Sequence, residues 1–97
     1  MKTNIIPVLA ANSKAFRNYI ISEFEGKDKP EYKSHWVNPT TFITRDEKYI
    51  YASSVRALRG LMFKSFISVG AAFLHPKYQE ILEFVLQESQ INKKEGE

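Results

Sequence analysis

Residues 51–73 read YASSVRALRGLMFKSFISVGAAF, and the fold turns on whether they form one helix or a helix followed by a strand. As one helix, Val55, Leu58, Met62, Phe66, Val69 and Phe73 make an apolar seam with spacings of three and four. Gly60 and Gly70 oppose it, each costing roughly 1 kcal/mol relative to Ala inside a helix. Phe63 and Ile67 would also lie off the seam. As helix then strand, Ser53 or Ser54 caps SVRALRG, Gly60 stops it, and SFISVGAAF is a mostly buried strand. Gly70 then marks a turn or a close backbone approach near the strand's end. The second reading is favoured, and it fails if residues 66–69 are helical.

The flanks agree with it. TNIIPVLAAN is a short β-branched run, and its Pro7 suits an edge or the start of a strand. Asn12 or Ser13 can cap the helix SKAFRNYIISEFEG, in which Phe16, Tyr19, Ile20 and Phe24 keep amphipathic spacing and Gly26 is a C-cap. TFIT and KYIYA read as a hairpin linked by RDE; alternatively, HWVN and YIYAS are successive strands joined irregularly at Pro39. HPKYQEILEFVLQESQ is an amphipathic helix with Pro76 in its first turn. The predicted fold is therefore a small single-domain α/β sandwich, ordered strand–helix–strands–helix–strand–helix over residues 1–91, with 92–97 a flexible tail. The alternative is α+β, a hairpin plus long kinked C-terminal helices.

Composition narrows the function classes. Ninety-seven residues and 43% hydrophobic content suffice for one core. There is no cysteine, which excludes disulfides and cysteine-ligated zinc and suits a reducing cytoplasm. The opening MKTNIIPVLAANS lacks a signal-peptide pattern, and no uncharged run reaches membrane-spanning length. Net charge is +3, but acids are absent from residues 1–22 and again from 48–79. If those segments share a face, that face is positive and fits phosphates or an acidic protein surface. The plainer reading is an ordinary solvated surface.

Two stretches carry a resemblance. IIPVLAANSKAF resembles the strand-to-helix passage after the phosphate loop of RecA-like helicase and phage large-terminase ATPase cores. YIYASSVRALRGLMFKSFISVGAAF resembles their later strand, short helix ending in Leu-Arg-Gly, and Walker B strand. Together they cover about half the chain. The Gly-x-x-x-x-Gly-Lys-Ser/Thr loop is absent, and Gly70-Ala71 stand where the family has paired acids. The resemblance thus implies a shared layout without ATPase activity. In size and style the chain also resembles small phage-encoded accessory or host-takeover proteins, some of which inhibit host nucleases and defence or recombination complexes.

Candidate sites follow from the basic loops. Backbone amides near Asn12, Ser13 and Lys14, with Arg17, form an anion site at a helix start. Arg56 and Arg59, at i and i+3, share a helix face and would meet the same anion if strand C-terminal ends group together. The plainer reading is capping residues and solvated arginines. Trp36, beside His35, is either a stacking or partner-anchoring group or simply core; Trp36, Arg59 and Lys64 are the partner-binding candidates. The spacing of His35 and His75 supports neither a metal site nor a catalytic triad. No cofactor is expected. The expectation is a non-catalytic cytoplasmic accessory protein that modulates a larger protein or protein–nucleic-acid complex, such as a host nuclease, helicase or recombination enzyme. The alternative is a module that binds nucleotide, DNA or RNA directly. In the one-helix reading, VRALRGLMFKSF would be a basic amphipathic helix able to lie on a membrane.

Overall fold

The computed structural model describes residues 4–24, 35–44 and 46–95, and the LRG stretch in it is a turn. Ser54 caps helix α2 (Val55–Leu58), its Oγ accepting the Ala57 N–H at 3.2 Å. The helix ends after one turn because Arg59 is extended (φ −63°, ψ 138°) and Gly60 takes φ +85°. The Leu61 N–H donates to the Leu58 carbonyl at 3.2 Å. This is a type II turn, whose third position needs the left-handed backbone that glycine adopts without strain.

Residues 66–69 are not helical, so the α/β reading holds. The strand they form is much shorter than SFISVGAAF: β5 is only Ile67–Ser68, and Ala72–Leu74 turn into a single 3-10 helix. The reason lies in its neighbour. Five strands form one sheet in the order β2-β3-β4-β1-β5, with β1 Asn4–Leu9, β2 His35–Asn38, β3 Thr41–Ile43 and β4 Glu47–Tyr51. Strand β1 runs parallel to both β4 and β5, while β2–β3 and β3–β4 are antiparallel.

Pro7 therefore lies inside a central strand, not at the edge or the strand start that its chemistry suggests. The alternation of a parallel ladder explains how it is tolerated. The Val8 carbonyl accepts from Ala52 N–H at 2.9 Å, towards β4, and the Leu9 carbonyl accepts from Val69 N–H at 2.8 Å, towards β5. Successive residues thus face alternate neighbours, and Pro7, two before Leu9, faces β5. Pairing with β5 begins only at Val8 opposite Ile67, so the missing Pro7 N–H falls where no ladder runs. The same gap keeps β5 short.

Alternation also sorts the side chains into two layers. Ile6 and Val8 of β1 and Tyr49 and Tyr51 of β4 pack with Phe16 and Ile20 of helix α1 (Ser13–Phe24). Leu9 and Ala52 pack on the other face with Leu58, Phe63, and Ile81 and Val85 of helix α3 (Tyr78–Glu95). The first layer is aromatic: Phe16 stacks on Tyr51 at 5.7 Å, and Phe24 meets Phe42 and Tyr49 at 5.3 Å each. The hairpin expected between TFIT and KYIYA is the β3–β4 pair, and HWVN adds a third antiparallel strand beyond it. Helix α3 extends to Glu95, into the stretch expected as a tail. The proposed Gly26 cap lies outside the described residues.

The two loop glycines separate backbone need from space. A Cβ at either Gly60 or Gly70 would meet nothing within 4 Å, but only Gly60 has a positive φ. Gly60→Ala is expected to lower unfolding free energy by about 1–2 kcal/mol, whereas Gly70→Ala leaves it unchanged or raises it by up to about 1 kcal/mol. Urea denaturation of the two variants checks this, and the opposite ranking would contradict the type II turn.

Candidate functional site

The strand C-terminal ends of β1, β4 and β5 lead into three loops, and α1 starts in the first of them. Asn12 is the cap: its Oδ1 accepts the Ala15 N–H at 2.8 Å and its carbonyl accepts the Phe16 N–H at 3.1 Å. The side chain proposed to help bind an anion is therefore already engaged with the helix. Ser13, Lys14, Arg17, Asn18 and Ile21, one outer stripe of α1, line a shallow groove of about 460 Å³ with Pro39 of the β2–β3 turn as its far wall. That turn is fixed by Asn38, whose Oδ1 accepts both the Thr40 N–H and its hydroxyl at 2.9 Å. Arg17 is held over the Trp36 ring, its Cζ 5.7 Å from the centroid.

Trp36 itself is half-buried. Its ring meets Phe42 at 5.0 Å and Phe16 at 6.0 Å, both edge-on, so most of its role is to close the aromatic layer under α1. Arg56 and Arg59 are exposed on and just after α2, whose Leu58 packs in the opposite layer. Lys64 is exposed on the segment between α2 and β5. The structure thus joins Ser13, Lys14 and Arg17 but sets Arg56 and Arg59 across the sheet from them. A single anion bound by all six residues is not formed, because β1 feeds its helix to one face and β4 feeds its helix to the other.

Sequence reasoning missed the exposed apolar side chains around β5. Met62 is 68% exposed, and Phe73 and Leu74 are each 65% exposed. Phe73, the last residue of the predicted strand SFISVGAAF, instead lies in the 3-10 helix and is exposed. The available signal was that Gly70 and Pro76 bracket AAFLH, a span too short to continue a strand and begin a helix while hiding both side chains. His75 closes this loop: its Nδ1 accepts the Lys77 N–H at 3.0 Å, and its ring lies 6.3 Å from that of Tyr51. Among the described residues no three His, Cys, Asp or Glu side chains cluster to hold a metal. No helix among them is long and apolar enough to cross a membrane.

Tyr49 supplies the strongest polar contact in the aromatic layer. Its hydroxyl donates to Glu47 Oε1 at 2.6 Å. Burial, then this hydrogen bond, then the Glu47 charge hold its phenol well above the ordinary tyrosine range. Burial also raises Tyr51, and burial followed by Glu23 raises Tyr19.

No family model, no curated protein and no solved structure matches this chain.

The raised phenols have a signed consequence. A tyrosine that holds its proton more tightly when folded contributes stability that is whole below about pH 10, its unfolded value, and is lost as pH rises beyond it. Tyr49→Phe is expected to weaken the fold at pH 7 by about 1–3 kcal/mol. It is also expected to flatten the decline in unfolding free energy above pH 10. Denaturation curves at pH 7, 9, 10 and 11 check both effects, and an unchanged alkaline slope would contradict the Tyr49–Glu47 assignment.

Proposed function

We propose that this chain is a non-catalytic docking protein that binds and modulates a larger protein assembly. The observation that carries the reading is the exposure of Met62, Phe73 and Leu74, which precede and follow the short edge strand β5 in the chain. Scattered apolar residues are ordinary on a surface, but Phe73 and Leu74 are adjacent, large and about two-thirds exposed. Arg59 and Lys64 belong to the same acid-free segment, residues 48–79. A segment that combines exposed apolar and cationic side chains suits a protein partner whose surface is apolar and acidic. Partners that handle nucleic acid, of the kind small phage-encoded accessory proteins engage, fit this charge pattern.

A second reading has its own observation. The α1 groove gathers Ser13, Lys14, Arg17 and Asn18, and with the Trp36 ring beneath Arg17 it offers cations next to an aromatic plane. That combination suits a nucleic-acid backbone or a nucleotide phosphate. The two readings predict different losses. In pull-downs from native host lysate with and without nuclease, Phe73→Ala combined with Leu74→Ala is expected to remove a protein partner that survives nuclease. Lys14→Ala is expected to leave that partner in place. Nucleic acid recovered by the parent, steeply salt-sensitive and lost in Lys14→Ala, would favour the second reading instead. Because both apolar side chains are solvent-exposed, the double variant is expected to keep the parent's unfolding midpoint.

A further inference from the structure

Strand β5 ends the sheet, and among the described residues nothing pairs with its outer backbone edge. Ile67 and Val69 face β1, since β5 pairs with Val8 and Leu9 and the Val69 N–H donates to the Leu9 carbonyl. By alternation, the N–H and carbonyl groups of Phe66 and Ser68 face away from the sheet. Among the described residues nothing pairs with them. A row of unpaired donors and acceptors is a template for another strand.

The side chains around that edge say what kind of strand fits. Phe66 reaches the α3 layer and Ile67 and Val69 the α1 layer, and all three are only partly buried. Parallel sheets normally have both faces covered, so these three side chains are in the condition of an interior strand that lacks its neighbour. Met62 precedes β5 in the chain and Phe73–Leu74 follow it, so exposed apolar groups stand at both ends of the segment. Lys64, exposed next to the start of β5, and Arg59 have no ion-pair partner among the described residues.

We propose that the partner adds an extended segment as a sixth strand along β5, with apolar side chains at alternate positions and acidic residues facing Lys64 and Arg59. The backbone edge supplies affinity without sequence preference, and the neighbouring apolar and charged side chains supply the choice of partner. This rests on the docking reading above and specifies its geometry. It also accounts for the length of β5: a two-residue edge with a lysine nearby resists pairing with copies of itself, yet accepts a strand that brings compensating charge.

Panning a displayed random dodecapeptide library against the full chain tests the proposal. Enriched peptides are expected to alternate β-branched or aromatic residues with other positions and to carry Asp or Glu. Their binding is expected to slow amide exchange at Phe66 and Ser68 and to weaken about tenfold in Lys64→Glu. Ser68→Pro removes one outward donor and is expected to weaken binding about tenfold. In case that variant folds poorly, the unaltered protein is also titrated with peptides N-methylated at every second amide. One methylation phase abolishes binding and the other does not. Peptides that protect Phe73 and Leu74 but leave Phe66 and Ser68 unprotected would overturn strand addition while leaving the docking reading intact. Peptides that protect only the α1 groove, or no enrichment at all, would overturn both.

Discussion

The carbonyls of Val8 and Leu9 point in opposite directions, and everything else in the fold is arranged around that fact. One accepts from Ala52 and holds β4, and with it the antiparallel hairpins of β2 and β3. The other accepts from Val69 and holds β5 and the loop that leads to α3. Because β1 is central and parallel to both neighbours, each of its residues serves one neighbour and one face. Ile6 and Val8 bury under α1, while Leu9 buries under α3. Pro7 is tolerated in this strand only because its missing donor faces the side that β5 does not reach. The constraint that admits proline inside the sheet thus also leaves, next to it, a short edge with which nothing among the described residues pairs.

That edge and the surface around it are where the molecule differs from a self-contained α/β sandwich. The α1 side is closed by an aromatic layer of Phe16, Phe24, Phe42, Tyr49 and Tyr51, with Trp36 completing the rim. Rings packed edge-on or stacked at 5–6 Å leave little that a partner could enter without displacing core. On the β5 side, Phe66, Ile67 and Val69 are only partly covered and Met62, Phe73 and Leu74 are exposed. A small domain has little apolar surface to spare for anything other than its core. Several large side chains in one acid-free segment gain no burial in the isolated chain, and a partner surface would supply it.

Much of the layout was legible in the sequence, for identifiable reasons. Gly60 after Ala-Leu-Arg signalled a stop, and its positive φ is the physical cause. Asn12 signalled a helix start and caps α1 by accepting from Ala15. The β3–β4 hairpin followed from two β-rich runs separated by a polar link. Three things could not be read. The central position of Pro7 depends on which neighbour each peptide faces, which is a property of the sheet and not of the strand. The separation of Lys14 from Arg59 depends on the face to which each crossover turns. The exposure of Phe73 and Leu74 depends on β5 ending early, and apolar periodicity looks the same in a buried strand and an uncovered loop. Of the candidate site residues, Ser13, Lys14 and Arg17 do converge on one groove, whereas Asn12 is engaged in capping and Trp36 mainly in packing.

The most direct test is site-specific photo-crosslinking in lysate of the cells that make the protein, with the photoreactive side chain placed at position 73 in one preparation and at position 21 in another. Both positions are exposed, one beside β5 and one in the α1 groove. The account predicts a discrete protein adduct from position 73 that withstands nuclease, with none from position 21. Adducts from position 21 alone, or adducts that vanish with nuclease, would place the working surface on α1 and contradict the assignment to β5.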